Sequence, residues 1–242
     1  MLMLQCDTLI IGSGYSSAGF AAAEKSCIIA EETEMCDKHF YLPLQCFEYK
    51  NFVPSEDLSS ELYCTFEKLG LFKNSMQNVN AFECAFCTFL KKIKINILLK
   101  SRVVSIDRKD GKYLVGLYTN SGFERICADR LFDNRTKSTA PLYLTVIYQS
   151  ENSNVQSALQ GIFPGSLTQK AFYDKRYALY IPYDKQTDLN YFKLSLYTKW
   201  KESRIGAKIL CFAPMAGALG EAGFTNPVEA FETGIKLAKE RD

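Results

Sequence analysis

The hydrophobic positions of this chain fall into short blocks whose period changes along its length, and each change marks an element. A continuous apolar run, Leu9-Ile10-Ile11, ends at Gly12, gives way to small residues over 15–23, and is followed by a second run, Cys27-Ile28-Ile29-Ala30. The expected order is buried strand, glycine turn, short helix and second buried strand. Leu58, Leu62, Phe66 and Leu69 recur at intervals of three and four and stop at Gly70, and Phe82, Phe86, Phe89 and Leu90 repeat the pattern over 80–92. Both segments are therefore expected as amphipathic helices. Strand signals follow at 95–99, 103–107, 113–118 and 124–128, with Asp110-Gly111 and Ser121-Gly122 supplying the turns of an antiparallel meander and Leu131-Phe132-Asp133 a separate return strand. Beyond Pro141 the pattern is mostly β, with runs at 142–148, 177–182 and 191–197 in a tyrosine-rich stretch, and a last strand is expected at 209–213. Asn226-Pro227 then opens a closing helix, with cap and first-turn proline in their favoured places.

The first of these blocks carries chemistry. Gly12-Ser13-Gly14-Tyr15-Ser16-Ser17 joins strand to helix in a GxGxxS pattern. Gly12 permits the sharp turn, Gly14 lets the backbone approach a pyrophosphate, and the small Ser17 stands where a third glycine lets helix and strand pack closely. The bare N–H groups of the helix start then face the phosphates. Glu31, with Glu32 beside it, follows Gly12 at about the 20 residues that put a carboxylate on ribose hydroxyls. Strand, turn, helix, strand and acid in that order form the frame that holds a dinucleotide.

Composition narrows the class. With 242 residues, 47% of them apolar, the chain can build a real core in one large unit or two interleaved ones. Its 29 basic and 27 acidic residues are spread along its length and leave a formal charge of only +2, which excludes the electrostatic footprint of a nucleic-acid or anionic-membrane binder. No apolar run reaches the length of a membrane span, and Met1-Leu2-Met3-Leu4 leads into a strand without a basic region or cleavage site. Nine scattered cysteines fit a reducing compartment better than a disulfide framework. The expectation is a soluble, cytoplasmic protein, and the pattern fixes no oligomeric state.

These motifs resemble those of the FAD-dependent oxidoreductases of the glutathione-reductase type, the flavoproteins with two dinucleotide-binding domains. The resemblance covers the N-terminal motif, the segment 80–133 and the C-terminus from Ile209. It implies that Val103, in Ser101-Arg102-Val103-Val104-Ser105-Ile106, contacts adenine through its backbone. It also likens Gly217-Ala218-Leu219-Gly220-Glu221-Ala222-Gly223-Phe224-Thr225-Asn226-Pro227 to a second flavin motif, in which Gly220 and Glu221 meet the ribityl and pyrophosphate groups and the helix after Asn226 points at the flavin. Glu221 replaces the usual Asp and is one methylene longer, so that contact requires a shifted loop. Asp133-Asn134-Arg135-Thr136 replaces the usual Ala-Thr-Gly, and paired glycines after the ribose acid are absent. A second dinucleotide motif is missing, so any NAD(P)H would act from solution.

The expected fold class is α/β: a Rossmann-type FAD/NAD(P)-binding part over 1–139 with an inserted segment at 33–76, a smaller, mainly antiparallel β cap over 140–204, and a C-terminal strand and helix over 205–242 completing the FAD-binding part. The implied function is flavin-mediated hydride transfer to or from a small organic substrate, with FAD held noncovalently by Gly12, Ser13, Gly14, Tyr15, Ser16, Ser17, Glu31, Glu32, Val103, Gly220, Glu221 and Asn226. Two alternatives stay open: a catalytically degenerate nucleotide-binding or assembly protein on the same fold, and a small non-redox enzyme resembling thiazole synthases. Near the expected flavin, His39 is the only histidine and a candidate acid or base, and Cys36 a candidate for covalent attachment, although a satisfied loop histidine and a small half-buried cysteine are the plainer readings. Cys84-Ala85-Phe86-Cys87 has the spacing of a metal or redox pair. Its place in an aromatic helix, with no second pair, points to the core instead, and no metal is expected.

Overall fold

A strand with no polar face must be covered on both sides. The computed structural model, which describes residues 3–45, 52–73, 76–135, 140–152, 154–221 and 223–240, accordingly puts the first strand at the centre of a sheet. Met1, Leu2, Thr136 and Ala222 of the motifs above lie outside these residues. Along the chain come β1 (Met3–Ile11), α1 (Tyr15–Ala23), β2 (Cys27–Ala30), α2 (Lys38–Tyr41), α3 (Asp57–Lys68), β3 (Phe72–Lys73) and β4 (Met76–Gln77). Then follow α4 (Phe82–Lys92), β5 (Asn96–Leu98), β6 (Arg102–Lys109), β7 (Lys112–Thr119), β8 (Gly122–Asp133), β9 (Leu142–Ser150), α5 (Val155–Ile162) and β10 (Leu167–Lys170). The chain closes with β11 (Arg176–Tyr183), α6 (Leu189–Glu202), β12 (Ala207–Phe212) and α7 (Pro227–Lys239).

The first sheet has the order β5-β2-β1-β8-β7-β6, and the second β10-β11-β9-β12. In the first, β5, β2, β1 and β8 run parallel, while β6, β7 and β8 form the antiparallel meander. The second sheet is antiparallel throughout. This is the α/β architecture expected of the chain.

Three local expectations are corrected. The meander strand and the return strand are one continuous strand, β8, which pairs with β1 up to the Ile11–Asp133 register. The run at 191–197 is helical: Asp188 caps α6 by accepting from the Tyr191 N–H at 2.8 Å. Leu189, Phe192, Leu196 and Trp200 pack along one side of α6 at helical spacing. The last strand, β12, pairs with β9 in the second sheet, so of the C-terminal segment only α7 returns to the first layer.

That return is close. A Cβ on Gly19 of α1 would run into the Phe231 carbonyl oxygen, and one on Gly234 of α7 into the carbonyl oxygen of Ser16. The two helices thus touch backbone to backbone. Beneath them lies an aromatic core in which Tyr15 stacks on Phe86 at 4.0 Å between ring centroids and Phe66 on Phe82 at 5.1 Å. Such pairs contribute about 0.5–1.5 kcal/mol each beyond the area they bury. They anchor the first turn of α1, because Tyr15 belongs to that turn.

Candidate functional site: the cleft beside the glycine turn

Gly12 leaves β1 at φ +94° and its N–H donates to the Ala30 carbonyl at 2.8 Å, so the chain turns tightly between β1 and β2. Ser17 closes the turn by donating its hydroxyl to the Gly12 carbonyl at 2.8 Å, and the Asn134 side-chain amide donates to Ser17 at 2.6 Å. At the end of β2 the Glu31 carboxylate is fully buried. It accepts from the Ser13 N–H at 2.7 Å, the Thr33 N–H at 2.8 Å, both their hydroxyls, and the Lys38 ammonium at 2.8 Å. Burial alone raises a carboxyl, but donation by Lys38, Ser13 and Thr33 outweighs it and holds Glu31 at a pKa of about 2. Glu32 turns outward and pairs with Arg102 at 3.5 Å.

Loop 33–37 is pinned to α4 by a residue the sequence did not single out. Glu83 accepts from the Cys36 N–H at 2.8 Å and the Asp37 N–H at 2.7 Å. Asp37, itself buried, caps α2 and accepts from the Tyr15 hydroxyl at 3.1 Å. Burial and the nearby Glu83 and Glu221 push the Asp37 carboxyl well up, while burial and Asp37 do the same to the Tyr15 hydroxyl. Cys36 lies in the aromatic core and is not among the residues lining the cleft described below; its Sγ, Cys87 Sγ and a Glu83 oxygen all fall within 4.8 Å of one another. Cys87 donates to Glu83 at 3.2 Å, and Cys36, burial and Glu83 together keep its thiol protonated. Cys84 is exposed.

The C-terminal motif meets the N-terminal one across this loop. Gly220 sits at φ +76°, where a Cβ would run into the Phe224 carbonyl, and its N–H donates to the Gln45 side chain at 2.6 Å. Gln45 also donates to the Ala218 carbonyl, so it latches the motif to the segment after α2. Asn226 caps α7 by accepting from the Val228 N–H at 2.9 Å, and its Nδ2 is buried without a hydrogen-bond partner among the described residues. Glu221 reaches the start of α1. Its carboxylate sits on the first turn of α1, accepting from the Tyr15 N–H at 2.7 Å, the Ser16 N–H at 2.8 Å and the Ser16 hydroxyl at 2.5 Å.

Between these parts opens a cleft of about 640 Å³. Thr33, Lys38, His39, Asn134, Arg135 and Glu221 give it polar walls, and Leu42, Pro43, Leu142, Met215 and Leu219 apolar ones. Val103 is not among its lining residues and packs against a core cluster contributed by β1, β2, β7 and β8. Ser101, two residues earlier, binds the Glu31 carbonyl through its N–H at 2.8 Å. The cleft's volume and mixed lining suit a ligand of dinucleotide size, whereas Gly12, Ser13, Gly14, Tyr15, Ser16, Ser17 and Glu31 are not among its lining residues. One side chain stands against such a ligand, because Glu221 holds N–H donors that a pyrophosphate takes.

No family model matches the chain, and no curated protein matches it. Among solved structures, p-nitrophenol 4-monooxygenase PnpA from Pseudomonas putida aligns over 99% of this chain and 78% of its own, with a TM-score of 0.55 and 10% identity. A flavoprotein/dehydrogenase from Cytophaga hutchinsonii aligns over 97% and 77%, with a TM-score of 0.55 and 10% identity. Aklavinone-11 hydroxylase, solved with FAD and aklavinone, aligns over 91% of this chain and 54% of its own, with a TM-score of 0.52 and 12% identity. The fold is that of FAD-binding flavoproteins. This likeness stops short of the glutathione-reductase type. No helix among the described residues is long and apolar enough to cross a membrane.

Proposed function

We propose that the chain binds FAD noncovalently in the cleft and acts as an oxidoreductase on a small organic substrate, by hydride transfer at the flavin. The observation that carries this reading is the cleft itself: on a flavoprotein fold, a largely apolar cavity is walled by Thr33, Asn134 and Glu221, which hydrogen-bond to Glu31, to Ser17 and to the first turn of α1. Bound FAD would supply the two-electron chemistry, and the chain's residues would orient it, shield it and move protons. In this reading Gly12, Ser13, Gly14, Tyr15, Ser16 and Ser17 form the diphosphate seat, Glu31 takes the ribose by exchanging a hydrogen bond now held by Ser13, Thr33 or Lys38, Glu32 stands at its rim, and Val103 is assigned to adenine by the resemblance alone. Gly220 and Asn226 fix the loop and helix facing the flavin. His39 lines the cleft and is the residue placed to hold or release a proton there, whereas Cys36 faces the core, in keeping with noncovalent flavin.

The experiment is anaerobic reduction of the FAD-loaded chain by NADH or NADPH, followed by bleaching of the flavin's visible absorption. Bleaching that reverses on adding an electron acceptor is the expected result. Flavin that binds but is not reduced by any donor supports the second reading, a nucleotide-binding protein without turnover. That reading draws on the Asp133–Arg135 ion pair at 2.6 Å beside the turn and on Glu221.

A further inference from the structure

Gly14 is the residue whose missing side chain leaves room for a diphosphate, and here another group fills that room. A Cβ on Gly14 would lie 2.6–2.8 Å from the Glu221 carboxylate. The carboxylate itself accepts from two backbone N–H groups and a hydroxyl at the positive end of α1. Its backbone is clamped: Glu221 and Phe224 exchange N–H and carbonyl bonds at 2.9 Å each, and Gly220 is latched by Gln45. The side chain is held by those three hydrogen bonds to α1. It is a flexible arm with three rotatable bonds, only 2% exposed, that forms part of the cleft wall. Lys38 of the same cleft is paired with Glu31, and the hydrogen-bond donors to Glu221 among the described residues all belong to the helix start.

We propose that Glu221 is a resident anion that competes with a ligand's diphosphate for the N-terminal donors of α1, and so sets the affinity and charge preference of the cleft. The proposal rests on the reading of the cleft as a dinucleotide site. A diphosphate-bearing ligand enters only by exchange, as the Glu221 arm swings off Tyr15 and Ser16 and the phosphate oxygens take the same N–H groups. A ligand without phosphates does not meet this competition. Glu221 is on this account an opponent of the cofactor rather than a ribityl contact, and the cleft discriminates less between FAD and riboflavin than a vacant glycine turn does.

The test is equilibrium titration of the wild-type chain, Glu221→Gln and Glu221→Ala with FAD, ADP and riboflavin, read by ligand fluorescence or dialysis. Glutamine keeps the length of the side chain and loses the charge, and a far-UV spectrum matching wild type confirms that the fold is kept. Both variants should bind FAD and ADP about 10- to 100-fold more tightly than wild type, the weight of one charge-assisted hydrogen bond regained by the ligand. Riboflavin affinity should be unchanged. Variants that bind FAD more weakly than wild type, or equally, overturn the proposal while leaving the cleft a flavin site. If no chain binds FAD, the cofactor reading falls, and ADP then decides: tightening in the variants upholds the resident anion, and no ADP binding overturns it.

Discussion

Replacing Glu31 by Gln tests the buried acid on which the cleft is built. Glutamine has the shape of the neutral acid, so the variant reports what the wild-type protein gains from keeping that carboxyl ionised. Hydrogen bonds from Lys38, Ser13 and Thr33, working against burial, lower the Glu31 pKa from 4.5 to about 2. At about 1.4 kcal/mol per tenfold change in proton affinity, the ionised form contributes on the order of 3 kcal/mol to folding. The sign follows from linkage: because the folded pKa is depressed, this stability is fully present above the unfolded value of 4.5 and is lost as pH falls towards 2. Glu232, also held at about 2, against the effect of burial, by Lys236, Ser55 and Ser59, titrates in the same window. It is common to both proteins and cancels in the difference. Urea denaturation of wild type and Glu31→Gln in the same ligand state should show a gap of about 3 kcal/mol near pH 7 that narrows as pH falls below about 4.5. A gap under about 1 kcal/mol near neutrality, or one that does not change with pH, would refute the reasoning.

Gly19→Ala and Gly234→Ala should each lower stability by about 1–3 kcal/mol or more, since the added methyl meets a carbonyl oxygen of the facing helix, and an unchanged melting temperature would mean that α1 and α7 do not touch as described. Asp188→Ala should cost about 1 kcal/mol through loss of the α6 cap; no change in urea midpoint would remove the capping bond to Tyr191. His39→Ala should leave FAD content at the wild-type level and slow flavin reduction by less than about 100-fold, the lower end of general acid–base effects. Loss of all turnover with full flavin content would make His39 the principal proton carrier.

The order of elements around the glycine turn was legible because strand, turn, helix and acid are adjacent in sequence and each rests on a local rule. The cap at Asn226 was legible for the same reason. The segment 191–197 misled because Leu194, 61% exposed, completes an apparent alternation of Phe192, Leu194 and Leu196, and the exposed Tyr191 and Tyr197 add to its apolar look. Without the exposed residues, Leu189, Phe192, Leu196 and Trp200 follow the helical period from a capping Asp. That β12 joins the second sheet depends on pairing with β9, more than fifty residues away, for which no local signal exists. The site divides in the same way. Gly12, Gly14 and Glu31 announce themselves by spacing, whereas the Lys38 ammonium on Glu31, the Gln45 latch and the Glu83 anchor are made by loop geometry. Asp37 before α2 differs from these in having a readable signal, as a cap residue. Glu221 was noticed for its length, and only the fold reveals which donors that length reaches.

The central claim is that the cleft takes FAD. The direct measurement is to saturate the purified chain with FAD, remove the excess by gel filtration, precipitate the protein with acid, and quantify and identify the flavin in the supernatant. The account predicts one FAD per chain, all of it released by the acid, and none retained by Gly14→Val, whose side chain closes the diphosphate seat. Wild-type protein that emerges from gel filtration colourless after saturation, or flavin that stays on the precipitate, would contradict it.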